Sequence, residues 1–157
     1  MARALSKETA AEIQKVFPRY PTRLAALGPA IHLTHKQLGH VSDEAALDIA
    51  ELLDIPVTRV REMVSFYTMY YDRPVGRHVV RICRNLACQA RGADRIIAKA
   101  QEILGVTCGQ TTADGRITLE HEECLASCGT GPALWVDDNL IENLDEEKLA
   151  RALGGLK

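Results

Sequence analysis

The sequence is organised around Cys83-Arg84-Asn85-Leu86-Ala87-Cys88 and a second stretch, Cys124-Leu125-Ala126-Ser127-Cys128. Each stretch begins and ends with a cysteine, so each can supply two thiolates to one metal centre from a single loop. Residues 89–123 separate the two pairs. All four thiols can therefore meet only if the intervening chain folds back on itself.

The size and composition are those of an ordinary globular protein. The chain has 157 residues, 46% of them hydrophobic and 25% charged, close to the averages for soluble domains. Every apolar run is shorter than the ~18 residues that a bilayer crossing needs. Residues 1–10 lack the apolar core of a signal peptide. We therefore expect a cytoplasmic protein without direct membrane insertion.

The cysteine count argues against a disulfide-stabilised protein, and the net charge argues against a nucleic-acid-binding protein. Five cysteines are an odd number, and paired cysteines in a cytoplasmic chain are more often metal ligands or catalytic groups than disulfides. The net charge is −2, without the excess of Lys and Arg that nucleic-acid binding requires. We expect no nucleic-acid partner.

The first part of the chain predicts a bundle of helices. Four helical segments are expected, beginning near Ser6, Thr22, Ser42 and Pro56. Pro18 and Pro21 should end the first helix, and Pro29 should kink or restart the second. Gly39 is a typical stop for the second helix.

The connection Leu53-Asp54-Ile55-Pro56 between the third and fourth helices is short enough for a DNA-binding helix-turn-helix. The fourth helix, however, offers only Arg59 and Arg61 to a base or a phosphate. Packing explains this connection better, and a zinc-stabilised helix-turn-helix regulator remains the more distant alternative.

An aromatic segment, Phe66-Tyr67-Thr68-Met69-Tyr70-Tyr71, follows at the end of the fourth helix. Such rings usually close a helical core or seat it on the next domain. An exposed contact for a partner subunit is the other interpretation.

The periodicity of the apolar residues changes from helical to strand-like after Pro74-Val75-Gly76. A β-branched strand precedes Cys83, a helix starts near Ala93, and the predicted turns and last helix are marked by Asp114-Gly115, Asp138-Asn139 and Asp145. We therefore predict an α+β protein, with a helical domain over residues 1–73 and a small sheet domain over residues 74–157.

The four paired cysteines, Cys83, Cys88, Cys124 and Cys128, are the candidate metal ligands. Their spacing is compatible with structural zinc and with a 2Fe-2S cluster, and the wider two-iron unit is slightly favoured. Cys108 is more typical of a small buried hydrophobe, and His121 of a surface or strand histidine. Catalytic groupings and nucleotide-binding loops are missing from the sequence, so we expect no independent chemistry.

Beyond spacing, several motifs occur together in the order of a known family. They are Tyr20-Pro21, Ser42-Asp43-Glu44-Ala45, Ser65-Phe66-Tyr67-Thr68-Met69-Tyr70, Pro74-Val75-Gly76-Arg77-His78, the stretch from Cys83 to Ala93, and Glu123-Cys124-Leu125 through Cys128-Gly129-Thr130-Gly131-Pro132. Together they resemble the thioredoxin-like 2Fe-2S subunit of respiratory complex I, the NADH:quinone oxidoreductase. NAD-reducing hydrogenases and NAD-dependent formate dehydrogenases contain similar subunits.

The resemblance implies a helical N-terminal bundle, a thioredoxin-like ferredoxin domain, and a 2Fe-2S cluster held by Cys83, Cys88, Cys124 and Cys128. It also implies an electron-transfer subunit of an NADH dehydrogenase (quinone)-type oxidoreductase. Its partner would be the flavoprotein subunit that binds NADH and FMN, within a larger iron-sulfur complex. Such a complex would hold this chain at the cytoplasmic face of the membrane.

One residue departs from the family pattern, because relatives commonly have glycine where Ala126 stands. The local turn of the second loop is therefore expected to differ. Arg84 is similar to some formate-dehydrogenase relatives, whereas Gly129-Thr130 and Glu142-Asn143-Leu144 are similar to complex I. The parent complex stays open between these alternatives.

Overall fold

The computed structural model describes residues 3–156 and divides the chain into two compact units after Pro74. The predicted boundary, between residues 73 and 74, lies one residue earlier, and the predicted domain ends at residues 1 and 157 lie outside the described residues. One unit is helical and the other contains a five-stranded sheet with helices. The predicted α+β class is therefore confirmed.

The first unit, as far as the structure describes it, contains four α-helices. These are α1 (Lys7–Val16), α2 (Leu27–Leu38), α3 (Asp43–Leu53) and α4 (Val57–Phe66). Ser6 and Ser42 begin α1 and α3, because their side chains accept hydrogen bonds from the backbone N–H groups of Thr9 and Ala45 at 3.0 and 3.2 Å. Each helix contributes a fully buried side chain to one core, namely Ile13, Ile31, Ile49 and Val60.

Two helix boundaries differ from the sequence predictions. The second helix starts at Leu27, which places Pro29 in its first turn, where a missing N–H costs no intrahelical hydrogen bond. The interruption that was predicted at Pro29 lies earlier, in the 3-10 turn Leu24–Ala26 that precedes α2. The fourth helix ends at Phe66, because Tyr67 adopts an extended conformation, and most of the aromatic segment lies beyond the helix.

Up to residue 156, the second unit contains five strands and three α-helices. These are β1 (His78–Cys83), α5 (Leu86–Ala90), α6 (Ala93–Leu104), β2 (Gln110–Thr111), β3 (Ile117–Glu122), β4 (Leu134–Val136), β5 (Asn139–Ile141) and α7 (Glu146–Gly154). Strands β2 and β3 form one predicted hairpin and strands β4 and β5 the other. Asp145 begins α7 as predicted, by accepting a hydrogen bond from the Lys148 N–H at 2.7 Å. Helix α5 was not predicted.

The sheet has the order β2-β3-β1-β4-β5. Strand β1 runs parallel to β3, with Cys83 opposite Glu122, and antiparallel to β4, with Ile82 opposite Leu134. The carboxyl ends of β1 and β3 and the start of β4 therefore lie at one edge. Helices α6 and α7 pack on the sheet through the buried side chains Ile96, Ala100, Leu149 and Leu153. Within residues 3–156, every helix is too short or too polar to cross a membrane.

Gly76 marks a close approach of the backbone to β3. A Cβ atom at this position would lie 2.7 Å from the backbone nitrogen of Thr118 and 2.8 Å from the carbonyl carbon of Ile117. The Gly76 N–H also donates a buried hydrogen bond to the Thr118 Oγ1 at 2.6 Å. Position 76, just before β1, therefore has no room for a side chain.

We predict that Gly76→Ala destabilises the second unit by about 1–3 kcal/mol, because β1 or β3 must move to admit the methyl group. Unfolding followed by the fluorescence of Trp135, the single tryptophan and a residue of β4, measures this unit directly. Gly154→Ala is the matched control, since its added Cβ meets open space at the end of α7. Equal midpoints for Gly76→Ala and wild type would contradict the close approach.

Candidate functional site

Both cysteine loops leave the sheet at the same edge. Cys83 is the last residue of β1, and β3 ends at Glu122, just before Cys124. After Cys128 the chain returns to this edge to begin β4, and the Ala133 carbonyl accepts a hydrogen bond from the Cys83 N–H at 3.0 Å. The fold-back that the sequence required is therefore made by the parallel pairing of β1 with β3 and the antiparallel return of β4.

The first cysteine pair is buried and the second is exposed. Cys83 and Cys88 are each 2% exposed, whereas Cys124 and Cys128 face solvent. Burial, a hydrogen bond with the Cys83 side chain and the charges of Cys83 and Cys128 together raise the pKa of Cys88 to about 11. Cys88 is therefore close enough to Cys83 and to Cys128 for their charges to act on its thiol.

The second loop is strained at Ala126. Its φ of +58° lies in the left-handed region, where a side chain costs about 1 kcal/mol relative to glycine. In this conformation the Ala126 N–H donates to the Cys124 sulfur at 3.3 Å. Ala126 thus adopts, beside a candidate ligand, the left-handed conformation that glycine favours. The expected difference from the turn of relatives stays a prediction.

An ion pair joins the two loops where they leave the sheet. The Arg84 guanidinium donates from Nε to the Glu123 carboxylate at 2.9 Å, and these residues flank Cys83 and Cys124. The Arg84 N–H also donates to the Glu122 carbonyl at 2.9 Å, which extends the parallel pairing by one residue. Both contacts join the segments that carry the first candidate ligand of each loop.

Residues 127–131, which we call the Cys128 loop, are held by two further side chains. Arg91 Nη1 donates to the carbonyls of Gly129 and Gly131 at 2.9 and 3.4 Å. The Glu142 carboxylate accepts hydrogen bonds from the hydroxyls of Ser127, at 2.6 Å, and Thr130. These two bonds, that from Ser127 first, hold the pKa of Glu142 below its usual value.

Sequence reasoning gave Arg91 and Glu142 no role. Both occur in segments that carry the family resemblance, so their identity was visible in the sequence. Their contacts with the Cys128 loop depend on the fold, because Arg91 is far from it along the chain and Glu142 follows the β4–β5 hairpin. Their positions in the sequence could have identified both residues. Arg91 comes shortly after the first cysteine pair, and Glu142 comes directly after the β4–β5 hairpin, which follows the second pair.

Cys108 and His121, the other two candidates, stay outside the proposed ligand set. Cys108 is half-buried against the sheet core, and its pKa is raised by burial first and by the charge of Glu120 second. His121 is exposed on β3. Within the described range 3–156, no three Cys, His, Asp or Glu side chains converge closely enough to hold a single metal ion.

The donor set of the two loops is chemically uniform. Four thiols are the donors that Fe–S clusters and zinc prefer, and the Ala126 N–H already points at one sulfur, as amides do around such centres. Gly131, which has no side chain, lets the backbone of the second loop come close to the Cys88 sulfur. These residues fit an iron-sulfur cluster, and their chemistry alone also admits zinc.

Comparison with known proteins resolves the family. Residues 13–157 match the model of the thioredoxin-like [2Fe-2S] ferredoxin family. An NADH-quinone oxidoreductase subunit of Pseudomonas aeruginosa is 36% identical over 149 residues, which are 95% of this chain and 90% of the relative. The subunit of the same name from Salmonella typhimurium is 37% identical over 134 residues, 85% of this chain and 81% of the relative.

A solved structure shares the fold. A chain of an NAD+-reducing [NiFe]-hydrogenase in the air-oxidized state superposes on 84% of this chain with a TM-score of 0.69, at 18% sequence identity. This chain spans about a fifth of that much longer chain, 22% of its length. The matching family model, the curated relatives and the shared fold agree, and the chain belongs to the thioredoxin-like [2Fe-2S] ferredoxin family.

Proposed function

We propose that this chain is the electron-transfer subunit of an NADH-oxidising or NAD-reducing complex, of the NADH-quinone oxidoreductase type. The observation that carries the proposal is the meeting of two cysteine loops at one sheet edge in a chain of this family. The similarity to the Pseudomonas and Salmonella subunits over most of both chains supports the parent complex. The hydrogenase neighbour supports the fold alone, and an equivalent subunit of a hydrogenase or formate dehydrogenase is the alternative.

The four paired cysteines are the proposed ligands of one 2Fe-2S cluster. Such a cluster, when bound, accepts and releases one electron at a time. Cys83 and Cys88 supply thiolates from the buried side, and Cys124 and Cys128 from the exposed side. The ion pair between Arg84 and Glu123 keeps the two loops together.

Hydride chemistry belongs to a partner in this proposal. The chain lacks a nucleotide-binding motif, so NADH and FMN would bind to a flavoprotein subunit that exchanges single electrons with this one. The assembly would be a larger iron-sulfur complex, and the chain would act as an oxidoreductase only as a part of it. We place it in the cytoplasm, at the cytoplasmic face of the membrane through that complex.

The helix-turn-helix alternative is disfavoured by the contacts of α4. Arg59 pairs with Glu62 at 2.8 Å and Arg61 with Asp43 at 2.7 Å, so the two arginines that a DNA backbone would need are already engaged by carboxylates. A gel-shift experiment at low salt that detects binding of a DNA duplex would revive this alternative.

Cluster content tests the proposed ligands. Purified protein is expected to be brown, to contain iron and acid-labile sulfide in equal amounts, and to give a paramagnetic signal on reduction. Cys124→Ser should lose or destabilise the cluster, whereas Cys108→Ser should leave the visible spectrum intact, because Cys108 packs against the sheet core. Colourless protein with one zinc would overturn the proposal, and equal damage from both variants would overturn the ligand assignment.

Gly131 provides an independent test of the site. Its backbone angles, φ −68° and ψ 162°, suit any residue, but an added Cβ would lie 2.9 Å from the Cys88 sulfur. Glycine is therefore needed here for space beside a proposed ligand, not for backbone conformation. At the neighbouring Gly129 an added Cβ meets nothing within 4 Å.

We predict that Gly131→Ala displaces the Cys88 sulfur and lowers cluster occupancy, or changes the visible and paramagnetic spectra of the clusters that form. Gly129→Ala is the matched control and should keep wild-type occupancy and spectra. The measurement is iron and sulfide per chain after identical reconstitution, with circular dichroism to verify folding. Wild-type spectra and occupancy in Gly131→Ala would remove Cys88 from the ligand set.

Part of the aromatic segment is available to a partner. The side chains of Tyr70 and Tyr71 pack near His35, whereas Phe66, Tyr67 and Met69 are 78%, 42% and 51% exposed. Phe66 and Tyr67 form an edge-to-face pair with ring centroids 5.1 Å apart. Exposed, ordered aromatic side chains of this kind are typical anchors of protein interfaces. We propose that the flavoprotein subunit covers them.

We predict that Phe66→Ala weakens association with the flavoprotein by about 2 kcal/mol or more, the usual loss at an aromatic anchor. The measurement is FMN recovered per chain when the tagged chain is purified from its own host. Leu47→Ala is the control, because Leu47 is 50% exposed on α3. Undiminished FMN with Phe66→Ala, at equal iron content, would contradict this interface.

A further inference from the structure

The Cys128 loop is held between two opposite charges. Arg91 follows the helix that carries Cys88 and donates to two carbonyls of the loop, on Gly129 and Gly131. Glu142 follows β5 and accepts from two hydroxyls of the same loop, on Ser127 and Thr130. Every bonded residue of the loop lies within three positions of Cys128, so both side chains act next to a proposed ligand.

Within the described part of the chain, neither charge is neutralised by a salt bridge. The polar contacts that the structure gives Arg91 are to carbonyl oxygens, and those of Glu142 are to hydroxyls. Across residues 3–156, the ion pairs involve other groups, such as Arg84 with Glu123 and Arg95 with Glu146. A full positive and a full negative charge therefore remain beside the same short loop.

The two contacts also differ in what they need from the side chain. Arg91 uses its planar guanidinium to reach two carbonyls, a geometry that the single ammonium of lysine does not reproduce. Glu142 uses one carboxylate oxygen, Oε1, for both hydroxyls, and the amide oxygen of glutamine occupies the same place. Charge and hydrogen bonding are thus separable at each position.

We propose that Arg91 and Glu142 are positioning residues that together hold the Cys128 loop and set, in opposite directions, the reduction potential of the cluster bound there. This inference rests on the proposed function. Reduction adds one negative charge to the cluster, which a nearby cation stabilises and a nearby anion opposes. Arg91 therefore raises the potential and Glu142 lowers it. The hydrogen bonds keep Cys128 in place in both oxidation states.

The test is a redox titration of the purified, reconstituted full chain, monitored by its paramagnetic signal. Glu142→Gln removes the charge and keeps the acceptor oxygen, so the midpoint potential should rise while the rate of iron loss to a chelator stays at the wild-type value. Arg91→Gln should lower the potential and speed iron loss, because removal of an outer partner of a metal ligand usually costs about ten- to hundredfold in metal affinity. Both shifts should shrink as salt is added, because both side chains are exposed.

Arg91→Lys separates charge from geometry. It should restore most of the wild-type potential without restoring the slow rate of iron loss, because the charge returns and the two-carbonyl contact does not. Arg95→Gln and Glu147→Gln are the charge-matched controls, since their side chains are exposed and contact α7 rather than the cysteine loops. Neither control should shift the potential.

The outcomes distinguish this inference from the proposed function. If wild-type protein binds a 2Fe-2S cluster but Arg91→Gln and Glu142→Gln leave the potential unchanged, or shift it in the same direction, the inference is wrong and the proposed function stands. If wild-type protein binds no iron and sulfide, the proposed function fails with it. Should Arg91→Gln fail to hold a cluster, the potential of Glu142→Gln still tests the effect of charge, and the rate of iron loss in Arg91→Lys still tests the two-carbonyl contact.

Discussion

Strand β1 is hydrogen-bonded on both sides, parallel to β3 and antiparallel to β4, and the position of every candidate ligand depends on this pairing. A parallel neighbour sends its chain out at the same edge as β1, and an antiparallel neighbour enters there. Cys83, Cys124 and Cys128 consequently belong to three segments that meet beside one another. A slip of β3 by one residue would move Cys124 and reverse the side chains of β3 relative to the core.

The same pairing lets two short loops at one end of a small sheet carry four thiols. The sheet is fixed from one face by α6 and α7, whose buried side chains Ile96, Ala100 and Leu149 are in contact with its core. The two cysteine loops are then joined by short side-chain contacts. Arg84 pairs with Glu123 between the loops, and Arg91 and Glu142 each bond to the Cys128 loop. Individual exposed contacts of this type contribute little to stability, so their importance lies in geometry and in local charge.

Features set by neighbouring residues were predictable from the sequence. Helix starts at Ser6 and Ser42 depend on a side chain and a backbone N–H three residues away, and the turn at Asp114-Gly115 needs only its own dihedral angles. The four cysteines were identified as candidates because their spacing is local. Helix α5 was missed because five residues are too few to show a helical period.

Contacts between distant parts of the chain were beyond prediction from one sequence. The positions that Arg91 and Glu142 reach are set by strand order and by the length of the β4–β5 hairpin, neither of which leaves a periodic pattern. Pro29 was misinterpreted for a similar reason, since its effect depends on where the helix begins. The family resemblance supplied residue identities at the site, and the fold supplied their partners.

The uneven burial of the cysteines makes the two ends of the proposed cluster chemically unequal. Cys83 and Cys88 are sealed from solvent, whereas Cys124 and Cys128 are exposed. Iron, sulfide or an oxidant that arrives from solvent meets the exposed thiols first. Iron would then bind first to Cys124 and Cys128 and afterwards to Cys83 and Cys88. Loss of the cluster would begin at the same exposed cysteines.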